Sequence, residues 1–148
     1  YGIKQNKQVR DSGKIMAIPF YRMPKTSSMI PGVQKGRYSI ITSGTKESKS
    51  QFTNFMFVYQ PLEFLFANPK CGLDLHIKYY SLEISKEDMM IQVICYKLFV
   101  DYGIIMNPLN ITSTFSGYIV EKRILDIIES EKFREFFNFF NEGKSLCA

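Results

Sequence analysis

The sequence predicts an α/β fold in which a parallel sheet is flanked by helices, and three observations predict it. Arg37-Tyr38-Ser39-Ile40-Ile41-Thr42 is a β-branched and aromatic run of strand length. A small-and-polar loop, Ser43 to Ser50, separates it from apolar residues at Phe52, Phe55, Met56 and Tyr59, which recur at helical spacing. A second run of strand character, Leu75-His76-Ile77-Lys78-Tyr79-Tyr80-Ser81-Leu82, then leads into another helix. Strand, loop, helix, strand, helix is the order of a parallel sheet with crossover helices.

The chain has 148 residues and fits one domain that buries most of its apolar surface. Thirteen Phe and nine Tyr, with no Trp, supply enough apolar area to offset the entropy of ordering. The net charge of +5 is compatible with a polyanionic partner, and equally with a Lys-rich solvated surface. Cys71, Cys95 and Cys147 are odd in number and lack metal-type spacing, which predicts reduced thiols in a cytoplasmic setting rather than a disulfide scaffold. Apolar stretches are broken by charge well short of a membrane span, and no signal peptide is visible, so no membrane association is expected. A first residue of Tyr1 rather than Met points to a segment of a longer protein.

Taken in order, residues Tyr1 to Lys14 read as a polar, basic linker or arm, and residues 15–148 as the folded domain. A short helix is expected near Lys25–Ile30, followed by turns at Pro31-Gly32 and Lys35-Gly36. Pro61 is expected to limit the helix that starts after Ser50. Asn68 to Gly72 is a loop. Ser85 is an N-cap with acids in the first turn behind it, Met89, Met90, Val93, Ile94, Lys97 and Leu98 continue that helix, and Gly103 stops it. Glu121–Ser130 and Lys132–Phe140 are helical in pattern.

Two segments carry candidate chemistry. A phosphate-binding loop needs Gly, four variable residues and Gly-Lys-Ser/Thr, so that backbone N–H groups curl around phosphate, the Lys reaches its oxygens and the hydroxyl ligates Mg²⁺. Here Lys49 and Ser50 are in register, while Ser43 and Ser48 replace the glycines. Ser48 is sterically tolerable there if its φ is negative. The plainer reading is a strand-to-helix connection with Ser48 or Ser50 as N-cap. The second segment places Glu83 at the end of the second strand, where open α/β sheets bind ligands and where a carboxylate can polarise water.

Gly32-Val33-Gln34-Lys35-Gly36-Arg37-Tyr38-Ser39-Ile40-Ile41, the loop after it, and Tyr80-Ser81-Leu82-Glu83-Ile84-Ser85-Lys86-Glu87 together resemble a DnaB-type replicative helicase over about Ile18 to Ile105. That family reads Gly-Leu-Gln-Pro-Gly before a hydrophobic strand and Phe-Ser-Leu-Glu-Met-Ser before a helix. The resemblance implies the first half of a RecA-like, three-layer ATPase domain, with ATP and Mg²⁺ as cofactors. It implies nucleotide contacts from Ser43, Gly44, Thr45, Lys46, Glu47, Ser48, Lys49, Ser50 and Gln51. Lys49 would lie on the phosphates, Ser50 on Mg²⁺, and Glu83 would activate water. A ring of identical subunits moving on single-stranded DNA is implied for the whole protein, and the drift in the loop points to a phage source.

The family's later elements have no counterpart before Ala148, so this segment alone is expected to hydrolyse ATP poorly, and the Phe136–Phe140 patch to stay partly uncovered. A RecA- or RadA-like recombinase ATPase is a second reading, disfavoured by Ser-Leu-Glu-Ile-Ser. A third is a non-catalytic relic of the loop serving as an interaction module, favoured by Ser43, Lys46 and Ser48. His76, the one histidine, has no ligand partners nearby in sequence. Met56, Met89, Met90 and Met106 read as core, Tyr79 and Tyr80 as alternating across a strand, and Arg22, Lys25 and Lys35 as solvated surface in preference to contacts with nucleotide or a neighbouring subunit.

Overall fold

A computed structural model describes residues 17–114, 117 and 120–142, with side chains to residue 140. The chain divides between Leu75 and His76 into two compact units. The expected arm, residues 1–14, and the polar tail beyond residue 142 lie outside the described residues.

The first unit opens with β1 (Ala17–Ile18), then α1 (Pro24–Met29) and β2 (Val33–Gln34). Pro24 starts α1 where its missing N–H costs nothing. The two short strands pair antiparallel, Ala17 with Gln34 and Ile18 with Val33. Gly32 makes that pairing possible. Its φ is +100°, and a Cβ there would stand 2.0 Å from the Ile18 carbonyl oxygen, so only glycine lets the two backbones approach.

This two-stranded sheet corrects the fold class predicted from sequence. The described residues are mostly helical, and no parallel sheet flanked by helices, hence no RecA-like layer structure, is present among them. Arg37–Thr42 has strand composition and forms no strand, with Tyr38 89% and Ile40 73% exposed. Leu75–Leu82, the second expected strand, forms no strand beyond a single β-bridge at Lys78, so Tyr79 and Tyr80 do not alternate between two layers of a sheet. A strand needs a neighbour to take its N–H and C=O groups, and composition does not supply one.

Helix does the packing instead. α2 (Lys49–Asn54), a π-helical turn (Phe55–Tyr59) and α3 (Gln60–Ala67) run on without a break. Pro61 therefore does not end the helix as expected. Proline has no N–H to bond four residues back and its ring crowds that carbonyl. The wider π turn just before it, with Gln60 N–H bonded to the Phe55 carbonyl five residues back, accommodates both defects. Met56, Val58, Leu62 and Leu65 are buried together with Ile18 and Phe20, and Phe20 meets Phe57 edge to face at 5.9 Å between centroids.

The same helical run buries Asn54, Gln60 and Glu63. Glu63 is met by Arg22, which donates from Nε at 2.8 Å and Nη2 at 2.5 Å, a fork-on-carboxylate contact. The Arg22 backbone N–H donates to Gln60 Oε1 at 2.6 Å. Arg22 is exposed, as expected of a surface residue, and it also anchors the turn after β1 to α3.

The second unit is built on α4 (Lys86–Tyr102), α5 (Pro108–Thr112), α6 (Lys122–Ile128) and α7 (Glu131–Glu142). α4 runs between the stop signals seen in the sequence. Ser85 Oγ accepts the Asp88 N–H at 3.1 Å, and Gly103 closes the helix at φ +68°. Met89, Val93 and Leu98 are buried, as are Phe133, Phe136 and Phe140. Of the Phe136–Phe140 patch, Phe136 and Phe140 are buried while Phe137 and Phe139 are half-buried, because α7 is amphipathic and turns one face inward. Lys97, 6% exposed, pairs with Asp101 at 3.1 Å and lies 4.6 Å from the Phe136 ring centroid.

Arg22→Met leaves the Glu63 carboxylate buried without its fork, whereas Glu63→Gln keeps an acceptor for it. Because the Arg22 side chain is 40% exposed, the cost of Arg22→Met is set at about 2–4 kcal/mol, and that of Glu63→Gln at about 1 kcal/mol. Urea unfolding of the two variants measures the difference; equal losses would contradict the asymmetry.

Candidate functional site

The loop from Ser43 to Ser50 joins the extended segment to α2, and every residue from Ser43 to Gln51 is exposed. Its backbone departs from the ordinary range at two places, Lys46 with φ +64° and Ser48 with φ +55°. Ser48 occupies the position where the phosphate-loop pattern has glycine, and the left-handed conformation it adopts is the one glycine supplies without strain. The condition of a negative φ is therefore not met. Nor does Ser48 cap the helix, since its side chain makes no cap hydrogen bond.

One backbone donor of the loop already holds an anion. The Gly44 N–H donates to Glu47 Oε2 at 2.7 Å, the kind of contact a phosphate oxygen makes in such a loop. The donor suits an anion, and Glu47 supplies one from within the chain. A Cβ on Gly44 would lie 2.9 Å from the Glu47 carboxyl, so the glycine also makes room for it. Lys49 and Ser50 open α2 side by side in sequence, both exposed, and are the residues able to take phosphate and Mg²⁺.

Glu83 sits in the irregular segment before α4 and is exposed. Its N–H, at 3.2 Å, and that of Ile84, at 2.9 Å, both donate to Ser81 Oγ. Lys49 belongs to the first unit and Glu83 to the second. The parallel sheet expected to set them side by side is not among the described strands. Among the described residues no group of three His, Cys, Asp or Glu side chains could hold a metal ion, so Mg²⁺ would rely on Ser50 and the nucleotide's own oxygens. Burial pushes the Cys95 thiol up, which keeps it protonated and a poor nucleophile.

Two features escaped the sequence reading. One is the Arg22, Gln60 and Glu63 cluster, which joins residues 38 and 41 positions apart in sequence. The other is a cavity of about 470 Å³ lined by residues between Tyr79 and Met90. No helix among the described residues is long and apolar enough to cross a membrane. Comparison with protein-family models, with curated proteins and with solved structures gives no match.

Ser48→Gly removes a Cβ from a left-handed residue, which relieves about 1 kcal/mol of strain against a smaller gain in chain entropy. The folded chain is expected to gain a few tenths of a kcal/mol in urea unfolding. A clear loss of stability would contradict the left-handed assignment of Ser48.

Proposed function

We propose that this chain is the phosphate-binding segment of a ring-forming, ATP-dependent DNA helicase. The observation that carries the reading is local. Both motif segments, Ser43–Ser50 and Ser81–Ser85, are loops that feed directly into helix starts, at Lys49 and Lys86. The first loop also presents a backbone donor already engaged by an anion. Loop-to-helix junctions are where backbone N–H groups point outward at anionic ligands.

The reading rests on those junctions and on the resemblance of their sequences, with no support from sheet architecture. In it, Lys49 takes phosphate oxygens, Ser50 meets Mg²⁺, and the N–H groups from Ser43 to Gln51 surround the phosphates. Glu83 is the residue the resemblance assigns to polarise water, and ATP supplies the bond that is broken. Single-stranded DNA, a ring of identical subunits and a cytoplasmic setting belong to the whole protein in this reading. A recombinase of RecA or RadA type would use the same loop with a different second motif.

A second reading has its own observation. If Glu47 holds Gly44 permanently, the loop is a relic and the chain is a helical interaction module. Thermal shift with ATP, with and without Mg²⁺, separates the two. The first reading predicts a Mg²⁺-dependent rise in Tm for the natural chain that Lys49→Ala abolishes. No rise in either protein would leave the relic.

A further inference from the structure

The cavity in the second unit lies where the chain passes from Tyr79 into α4, and its volume, about 470 Å³, is within the range of about 300–1,000 Å³ typical of small-molecule sites. Its apolar walls include the rings of Tyr79 and Tyr80 and the thioethers of Met89 and Met90. Met89 is buried, so its part of the wall is held by the core, while Tyr80 is 80% exposed and its ring is open to contact.

The polar groups in the lining offer hydrogens. Ser81 Oγ already accepts the N–H groups of Glu83 and Ile84, so its own O–H is left to donate. The Lys86 ammonium and the Tyr79 and Tyr80 hydroxyls make no hydrogen bond or ion pair with another described residue. Ser85 is fully engaged, donating to Asp88 Oδ2 at 2.7 Å and accepting the Asp88 N–H.

Charge then narrows the ligand. Glu83, Glu87 and Asp88 are exposed along this stretch, against Lys78 and Lys86. These three carboxylates flank a described lining in which Lys86 is the one charged side chain, so the charge around the cavity is mixed rather than cationic. What suits the site is a neutral, flat ring that offers faces to Tyr80 and the methionine sulphurs and lone pairs to Ser81 and Lys86. We propose that the cleft from Tyr79 to Met90 binds a neutral heteroaromatic ring of the nucleobase class. The proposal is independent of the phosphate loop, which lies in the other unit.

Adenosine, which carries no phosphate, is the probe, titrated into the whole chain and followed by saturation-transfer NMR. Saturable binding in the millimolar range is expected. Tyr80→Leu, which keeps apolar area and removes the ring, weakens it by about tenfold; Tyr80→Phe and Lys49→Ala leave it within about twofold, since the first retains the stacking face and the second lies outside the cleft. Exposure of Tyr80 makes both of its variants compatible with folding, which circular dichroism checks. Binding that does not saturate, equal affinity in Tyr80→Leu, or cyclohexanol binding as tightly as adenosine would overturn the proposal. Loss of adenosine binding in Lys49→Ala would also overturn it, by moving the base to the other unit.

Discussion

Every backbone N–H and C=O that leaves water has to find a partner, and in this chain helices rather than a sheet supply them. In the first unit that constraint falls on the run from Lys49 to Ala67, which has to stay helical through Pro61. The π turn keeps the backbone bonded there, and Gln60 and Glu63 just beyond it are buried. A charge in such a place needs a partner with more than one donor, and Arg22 is that partner. The pairing of β1 with β2, the turn after it and the Phe20 packing all sit on the chain that Arg22 fastens down.

What the sequence made legible is what depends on neighbours a few residues away. The Ser85 cap, the acids behind it and Gly103 are local signals, and they bound α4 where the structure has it. The turn at Gly32 was legible in the same way, through its own backbone chemistry. The strands were not legible, because Tyr38, Ile40 and Ile41 prefer extended backbone yet cannot create the neighbour that would make it a sheet. Within the Phe136–Phe140 patch the sequence does not separate the faces; Phe136 and Phe140, with Phe133 a turn earlier, have the periodicity of one buried face on α7.

The candidate site divides along the same line. That Ser43–Ser50 and Ser81–Ser85 are loops entering helices was readable, since caps and small polar residues mark such junctions. The conformation at Ser48 was not, because a serine gives no sign that it will adopt φ +55°. Glu47 was counted among the nucleotide contacts, and its engagement of Gly44 is a matter of three residues' separation in a turn that only coordinates display. The same bond marks a backbone donor suited to an anion and the internal carboxylate that already occupies it.

The extended run after β2 is unpaired, and no sheet among the described residues underlies the phosphate-like loop. Amide hydrogen exchange over Arg37–Gly44 tests it directly. The account predicts exchange at the rate of an unstructured peptide across Tyr38, Ser39, Ile40, Ile41 and Thr42, alongside strong protection in α4. Protection of those five amides comparable to that of α4 would mean that the segment lies inside a sheet, and would contradict the fold described above.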